Sequence, residues 1–164
     1  MSIKQLYSIT KESKEVYRKL DRLLLTSDLI LILLSISHIR GNTMLQKEVF
    51  LTWKKFFNDI TVDPAFFAYK YGAYSKIVED SATMLEKQKY IKIRKGVGEG
   101  RIFLIRDEGR KMIMKKIRRN KIDLTELVKK KIDWDELKPR AMIKLVYRNF
   151  PEYSTESVVP SLKW

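Results

Sequence analysis

The sequence predicts a mainly α-helical protein with one small β-hairpin. Along most of the chain, apolar residues recur at helical spacing with charged residues between them, whereas the stretch 90–95 alternates apolar and polar residues. A glycine-rich loop over 96–100 and a second short apolar run follow, as in two antiparallel strands. The 164 residues are enough for one good core, and the hydrophobic fraction of 45% is that of a globular protein.

Three helices are predicted in the first part of the chain. The first covers 11–25, where Val16, Leu20 and Leu24 recur among charged residues. The second begins at Thr26 or Ser27, is apolar on nearly every side and therefore central, and ends at Gly41-Asn42. The third follows a capping-box pattern, T-x-x-Q over 43–46. Its apolar face consists of Leu45, Val49, Trp53 and Phe56.

A turn and a fourth helix lead into the hairpin. Asp63-Pro64 breaks the chain, and the aromatic stretch 66–71 should be extended up to a turn at Gly72. Ser75 is a good N-cap for a helix over 76–89. The apolar stripe predicted for that helix consists of Ile77, Met84 and Leu85.

Helices are also predicted after the hairpin. Strands over 90–95 and 101–105 should pair, and Asp107 can then cap a helix that carries Ile113 and Ile117. The chain is helical again after Asn120, and Pro139 fits the first turn of a last helix.

The order of three helices and a hairpin is that of a winged helix-turn-helix. The helix over 76–89 would be the recognition helix, which enters the major groove of DNA, and the hairpin over 90–105 would be the wing. The alternative is a helical bundle with an incidental hairpin. The expected parts are an N-terminal helical extension over 1–25, the winged domain over 26–120, and a C-terminal helical extension over 121–164 packed on the core.

The chain is strongly basic, with 34 Lys and Arg against 20 Asp and Glu and a formal net charge of +14. Between Glu86 and Lys121 there are fourteen basic and four acidic residues, so most of the excess lies on and after the hairpin. A clustered basic patch is typical of phosphate binding, which favours double-stranded DNA as the partner and leaves RNA open. The alternative is a solvated surface of the kind that heat-adapted proteins have.

The expected DNA contacts lie on two elements. The wing supplies phosphate contacts, and one side of the recognition helix faces the groove. Two acids of that helix, Glu79 and Asp80, would repel phosphates, so the wing and the basic helix after it should lead binding, with modest sequence specificity. The expected wing contacts are Lys92, Arg94, Lys95 and Arg101, and the expected groove-facing residues are Ser75, Lys76, Thr83 and Lys87.

Few residues favour an enzyme. The chain has no cysteine, which excludes disulfides and thiolate catalysis, and its one histidine, His38, cannot form a metal-binding pair. The acidic cluster 133–136 could hold Mg²⁺, but helix capping around a buried Trp134 is favoured. Glu136-Leu137-Lys138 matches the end of a nuclease motif, but no upstream P-D partner lies on a predicted strand. The glycines over 96–100 lie between strands and do not precede a helix. We therefore expect no enzyme and no cofactor.

A cytoplasmic protein without a membrane partner is expected. The longest apolar run, Leu29 to Leu34, is far shorter than a bilayer span, and the N-terminus lacks the apolar core of a signal peptide. The amphipathic helix that begins at Asp107 could lie on a membrane surface, but core packing is the favoured interpretation.

Four short segments resemble motifs of a known family. Leu45-Gln46-Lys47-Glu48-Val49-Phe50-Leu51 resembles LQK-x-x-FL, and Tyr71-Gly72-Ala73-Tyr74-Ser75 resembles YGPYS with Ala in place of Pro. Leu85 followed by Tyr90-Ile91 resembles L-x-x-x-G-(Y/L)-I with Lys in place of Gly, and 145–153 resembles VY-R-x-(Y/F)-PEY. Together these segments resemble prokaryotic and phage-associated winged-helix proteins related to SocA-like (Panacea) antitoxins, over residues 27–157. The topology also resembles the broader MarR and PadR regulators.

The resemblance implies gene regulation, a role in mobile elements, or toxin neutralisation. It therefore keeps open a protein-interaction module, such as an antitoxin or an adaptor that binds a protein partner and no DNA. A homodimer is expected as well, because repressors of this type pair through added helices and palindromic DNA presents two half-sites. The motif residues also have a packing interpretation, since Leu45, Val49 and Phe50 face a core by their spacing.

Overall fold

Seven helices and five short strands make up the part of the chain that the computed structural model describes, residues 2–96, 98 and 100–158, without the side chains of 17–21. The helices are α1 Ile3–Arg22, α2 Thr26–Ile36, α3 Asn42–Phe56, α4 Lys76–Lys87, α5 Asp107–Arg119, α6 Thr125–Asp135 and α7 Pro139–Asn149. The strands are β1 Ile39–Arg40, β2 Phe67–Tyr69, β3 Gly72–Tyr74, β4 Ile91–Gly96 and β5 Gly100–Ile105. Short 3-10 turns follow α3, at Asn58–Ile60, and α7, at Pro151–Ser154. The protein is thus mainly helical with a small antiparallel sheet, as the sequence predicts.

Helix α2 lies at the centre of the fold because it is apolar on nearly every side. Every residue from Leu29 to Leu34 is at most 2% exposed, and the helix contacts α3, α4, α5 and β5. Asp28 holds its start, since the carboxylate accepts the N–H of Leu25 at 2.8 Å and forms an ion pair with Lys116 of α5 at 2.7 Å. No helix of the described residues is long and apolar enough to cross a bilayer.

Strand β1 forms where the sequence predicts the end of α2. The helix already ends at Ile36, and the extended Ser37 leads into β1. The strand pairs antiparallel with β5, with Ile39 opposite Phe103. Gly41 does not end α2 but precedes α3, at φ +90°, which glycine adopts at no steric cost.

Strands β4 and β5 form the hairpin that the alternating pattern predicts. They pair antiparallel over their full length, from Ile91 opposite Ile105 to the two glycines at the tip. Ile93 is partly buried and packs on the core, whereas Lys92 and Arg94 are exposed. Strand β5 lies between β1 and β4, so β4 is an edge strand.

A second hairpin, formed by β2 and β3, precedes α4. The aromatic stretch that the sequence predicts to be extended forms β2, and Gly72 begins β3 at φ +95°. A Cβ on Gly72 would lie 2.8 Å from Cε1 of Tyr147, so the hairpin backbone packs directly on a side chain of α7.

The capping box predicted for α3 is wrong. The N-cap is Gly41, and α3 begins at Asn42. The amide of Gln46 does not turn back to Thr43. It accepts the N–H of Ser75 at 2.8 Å and donates to the carbonyl of Ser75 at 2.9 Å. This bond pair joins α3 to the start of α4, and no local pattern specifies such a long-range contact.

Helix α4 buries a different face from the predicted one. Leu85 is buried as predicted, but Ile77 and Met84 are 42% and 45% exposed, so their assignment to the apolar stripe is wrong. The small side chains of Ser81 and Ala82 are buried instead. Small residues allow close approach, and this face of α4 packs on α2 and α3. The outward face of α4 therefore carries two apolar side chains among its charges.

The last two helices share the core with the others. The buried side chains of Leu127 and Trp134 in α6 and of Met142 and Val146 in α7 belong to the same hydrophobic cluster as α2. Phe50 of α3 fixes the C-terminal segment through edge-to-face ring contacts. Its ring partners, at centroid distances of 5.1, 5.1 and 4.7 Å, are Phe66, Phe150 and Tyr153.

Helix α1 is longer than predicted and begins at Ile3. Leu24, predicted to lie in this helix, comes after it and is fully buried. Its backbone bonds link it to the segment after α3, with the Leu24 N–H donating to Ile60 and the Leu24 carbonyl accepting from Val62. By contrast, the described apolar side chains of α1 are about half exposed or more.

Candidate nucleic-acid interface and adjoining pocket

The four predicted wing cations are exposed and carry no ion pair within the described residues. Lys92 and Arg94 lie on the outward side of the edge strand β4. Lys95 lies opposite Arg101 at the end of the hairpin. Since β4 and β5 hold all four on one short hairpin, the wing presents a local concentration of positive charge. Such an arrangement can contact several phosphates at once.

Cations elsewhere on the surface are more often paired. Lys76 bonds Asp80 at 3.1 Å within α4, and Lys116 of α5 is held by Asp28. Lys111 and Lys129 pair with acids one turn away on their own helices. None of the four wing cations forms an ion pair with a described residue. The same holds for exposed helical cations such as Lys87, Lys115 and Arg118 among the described residues, and the carboxylate of Glu86 lies against β4.

Each acid of α4 has a hydrogen-bond or ion-pair partner, and among the described residues only Asp80 is paired with a cation that offsets its charge. Glu79 accepts the hydroxyl of Tyr74, and Asp80 is paired with Lys76. Glu86 accepts the backbone N–H of Ile93 at 2.8 Å, so its carboxylate caps the free edge of β4. Sequence alone shows these acids but not what they bind.

Of the four residues predicted to face the groove, Ser75 does not do so in the structure. It is fully buried, its hydroxyl donates to the carbonyl of Pro64, and it accepts the N–H of Val78 as the N-cap of α4. A serine committed in this way cannot reach a base edge. Lys76, Thr83 and Lys87 are exposed on α4, although Lys76 is paired and the Thr83 hydroxyl donates to the carbonyl of Glu79.

A pocket of about 340 Å³ adjoins the wing. It lies between the start of α3, the β2–β3 hairpin, the first turns of α4 and strand β5. Its lining is mostly apolar and aromatic, with a few charged groups. The lining residues are Asn42, Thr43, Leu45, Gln46, Lys47, Tyr69, Tyr71, Gly72, Tyr74, Glu79, Ala82, Arg101 and Phe103.

Lys47 is the unusual group of this pocket. It is only 2% exposed, and its Nζ donates to the carbonyl of Ala73 at 2.8 Å. No carboxylate pairs with it among the described residues. Burial without a counter-charge lowers the pKa of Lys47 to about 7. An anion that entered the pocket would restore the missing counter-charge.

Charged groups also line the pocket at the wing and at α4. The N–H of Gly41 donates to the carbonyl of Arg101 at 2.7 Å, which places Arg101 beside the start of α3. At α4, the hydrogen bond to Glu79 is the main reason that the pKa of Tyr74 rises to about 12. Tyr74 therefore keeps its proton, which it donates to the hydrogen bond with Glu79.

Sequence reasoning missed this pocket. Gln46, Lys47 and Glu48 are three consecutive polar residues of α3, each at most 6% exposed. The helical spacing of Leu45 and Val49 gave no signal for Lys47, because a residue two positions after Leu45 points to the opposite side of the helix. The aromatic density of 66–74 was the available signal.

Glu48 lies on the side of α3 that meets α6. Its Oε1 is 3.0 Å from Nζ of the fully buried Lys131, which also bonds Asp135. Burial raises the pKa of Glu48 to about 7, and the attraction of Lys131 offsets only part of this effect. The cluster 133–136 thus uses Asp135 in an ion pair and buries Trp134. Within the described residues no group of three potential metal ligands occurs.

Three of the four segments behind the family resemblance meet in one region. Gln46 bonds Ser75, Lys47 bonds Ala73, and Gly72 packs on Tyr147. Comparison with protein-family models, with curated proteins and with solved structures finds no match. The function is therefore inferred from the residues and their geometry.

Proposed function

We propose that this chain is a cytoplasmic winged helix-turn-helix protein that binds duplex DNA and acts as a transcriptional regulator. The element order α2, β1, α3, α4, β4, β5 supports the fold, with the β2–β3 hairpin inserted between α3 and α4. Strand β1 pairs with the β4–β5 hairpin in the sheet order β1-β5-β4. The observation that carries the function is the set of four exposed wing cations without ion pairs among the described residues.

In this proposal the wing lies along the phosphate backbone and α4 enters the major groove. The outward face of α4 offers Lys76, Thr83 and Lys87 together with the exposed Ile77 and Met84. Apolar side chains at such positions can contact the methyl group of thymine. Because the polar groups of α4 are few and partly paired, phosphate contacts should supply most of the affinity.

Binding to labelled duplex DNA, measured by fluorescence anisotropy across a salt series, tests this proposal. We expect micromolar or tighter binding with a log–log salt slope of about −4 or steeper, since each neutralised phosphate contributes about −0.9. The double substitution Arg94→Ala, Lys95→Ala should weaken binding to all sequences similarly and make the slope shallower by about 2.

The matched control is Lys129→Ala, Lys130→Ala. It removes the same charge from exposed positions of α6, a helix that packs on α2 and α3 rather than on the wing. An equal loss of affinity in both double variants would refute the wing as the contact surface. A preference for the DNA upstream of the chain's own gene over random duplex would support regulation.

The second candidate function is that of a protein-interaction module, as an antitoxin or adaptor. One observation favours it: the β2–β3 hairpin exposes Phe67, Tyr69 and Tyr71 at 48%, 43% and 51%. Aromatic side chains of this kind are enriched in protein interfaces. Absence of DNA binding at physiological salt, with a partner captured by the wild-type chain and lost on Phe67→Ala, Tyr69→Ala, would favour this function.

A further inference from the structure

The pocket beside the wing presents three kinds of chemistry to a ligand. Tyr69 and Tyr71 contribute aromatic rings, Lys47 and Arg101 contribute positive charge, and Glu79 contributes a hydrogen-bond acceptor. A ligand that uses all three carries a planar ring, an anionic group and an N–H donor. The cavity of about 340 Å³ is near the lower end of the range for ligand pockets, ~300–1,000 Å³, so the ligand is small.

We propose that this pocket binds a mononucleotide, with its base against the tyrosine rings and its phosphate toward Arg101 and the start of α3. Bases stack on aromatic side chains, and a phosphate bonds Arg in a bidentate manner. Guanine fits best, because its edge offers neighbouring N–H donors to a carboxylate. The pocket is not part of the wing surface proposed to contact DNA, except for Arg101.

The part of the pocket that we assign to the phosphate is lined by several hydrogen-bond donors. The N–H of Gly41 bonds the carbonyl of Arg101 at 2.7 Å, so the backbone of Arg101 and the start of α3 lie at the same end of the pocket. No side chain caps α3, whose N-cap is glycine, and the next residues, Asn42 and Thr43, line the pocket. Deeper along the helix, the ammonium of Lys47 gives one of its three donors to Ala73.

The part of the pocket that we assign to the base is lined by Glu79 and by the tyrosines of the β2–β3 hairpin. Oε2 of Glu79 accepts the hydroxyl of Tyr74, which fixes the carboxylate at the edge of the pocket. A carboxylate has about four acceptor sites, so Oε1 is free to accept N–H groups of a base. Tyr69 and Tyr74 lie with ring centroids 5.4 Å apart and form one side of the aromatic wall.

A consequence for regulation rests on the proposed DNA binding. Arg101 lines the pocket and is also one of the wing cations. A bound nucleotide would occupy the guanidinium that a DNA phosphate needs, so nucleotide and DNA should compete. The affinity for nucleotide itself does not depend on DNA, which keeps the two proposals separable.

Isothermal titration calorimetry of the full chain without DNA tests the pocket. We expect GMP to bind with a dissociation constant of ~100 µM or tighter, and inorganic phosphate and benzoate to bind at least about tenfold more weakly. Tyr71→Ala, Arg101→Ala and Glu79→Gln should each weaken GMP binding by about tenfold. The matched controls Tyr7→Ala and Lys92→Ala lie outside the pocket lining, with Tyr7 72% exposed on α1, and should bind GMP as the wild type does.

Further outcomes distinguish a nucleotide site from weak or unspecific binding. Glu79→Gln should also reduce the ratio of GMP affinity to AMP affinity, because the carboxylate accepts the N–H groups that guanine has at its edge. No binding at millimolar GMP, or an equal effect of Tyr7→Ala and Tyr71→Ala, would overturn the proposal, as would benzoate binding as tightly as GMP. In fluorescence anisotropy, GMP should weaken the binding of DNA by the wild-type chain. If the chain binds GMP but no DNA, the nucleotide site is supported and its proposed role in regulation is refuted.

Discussion

At the scale of single residues, two neighbouring side chains of α3 connect burial to pH. Lys47 and Glu48 are 2% and 1% exposed, and burial moves both of their pKa values toward about 7 from opposite directions. In each case the neutral form is favoured in the folded state. The two groups therefore oppose each other in the pH dependence of stability.

Glu48 should make stability fall as pH rises from about 4.5 to about 7, because the unfolded chain loses this proton first. Lys47 should make stability rise from about 7 to about 10.5, because the folded chain loses this proton first. Denaturant titrations over this pH range measure both effects. Glu48→Gln should remove the fall and Lys47→Met the rise, so variants whose pH profiles parallel the wild type would contradict this account.

At the scale of elements, two left-handed backbone positions fix the ends of the hairpins. Gly72 at φ +95° begins β3 against Tyr147. Lys89 at φ +64° ends α4, and the N–H of Tyr90 bonds the carbonyl of Leu85 at 3.0 Å, as in a Schellman motif. The same left-handed requirement explains why glycine suits position 89 in the motif that this segment resembles.

Substitutions at these two positions should change stability in opposite directions. Lys89→Gly should stabilise the fold by roughly 1 kcal/mol, because it relieves a left-handed side-chain penalty. Gly72→Ala should destabilise it by about 2 kcal/mol or more, since it adds that penalty and a Cβ that meets Tyr147 at 2.8 Å. Thermal melts of both variants measure the signs; a stabilising Gly72→Ala would mean that Tyr147 moves freely.

The sequence predicts those helices and strands that depend on a local residue pattern, and it fails where an element depends on contacts with distant residues. Period-two alternation predicts the β4–β5 hairpin, and Ser75 is the N-cap of α4 as predicted. Strand β1 has two residues and depends on its partner β5, so no local pattern could show it. Helix α4 has apolar residues on two faces, and only packing against α2 decides that Ser81 and Ala82 are buried.

The candidate site divides in the same way. The exposed cations of the wing follow from charge and alternation, which is why Lys92 and Arg94 could be predicted. The pocket depends on contacts between distant segments, such as Lys47 with Ala73. The burial of Ser75 is also a long-range effect, since Pro64 and Gln46 take up its polar groups.

At the scale of the whole molecule, the described apolar side chains of α1 are not covered. Leu6, Ile9 and Val16 are 53%, 50% and 54% exposed. With Ser13 they follow a spacing of three, four and three residues, which is the seam of a helix pair. Burial of such side chains contributes about 25 cal/mol per Å² of apolar surface, so a second α1 could stabilise a pair.

A homodimer through α1 would give the proposed DNA-binding domain two copies for two half-sites. Light scattering at tens of micromolar should then report twice the chain mass of 19.5 kDa. Leu6→Glu, Ile9→Glu should return the mass to that of one chain, because it places charges in the seam. Lys11→Gln, Lys14→Gln makes the same change in net charge on the polar side and should leave the dimer intact. If light scattering gives the wild-type protein the mass of one chain, this pairing is excluded. DNA binding through the wing would then involve one domain at a time.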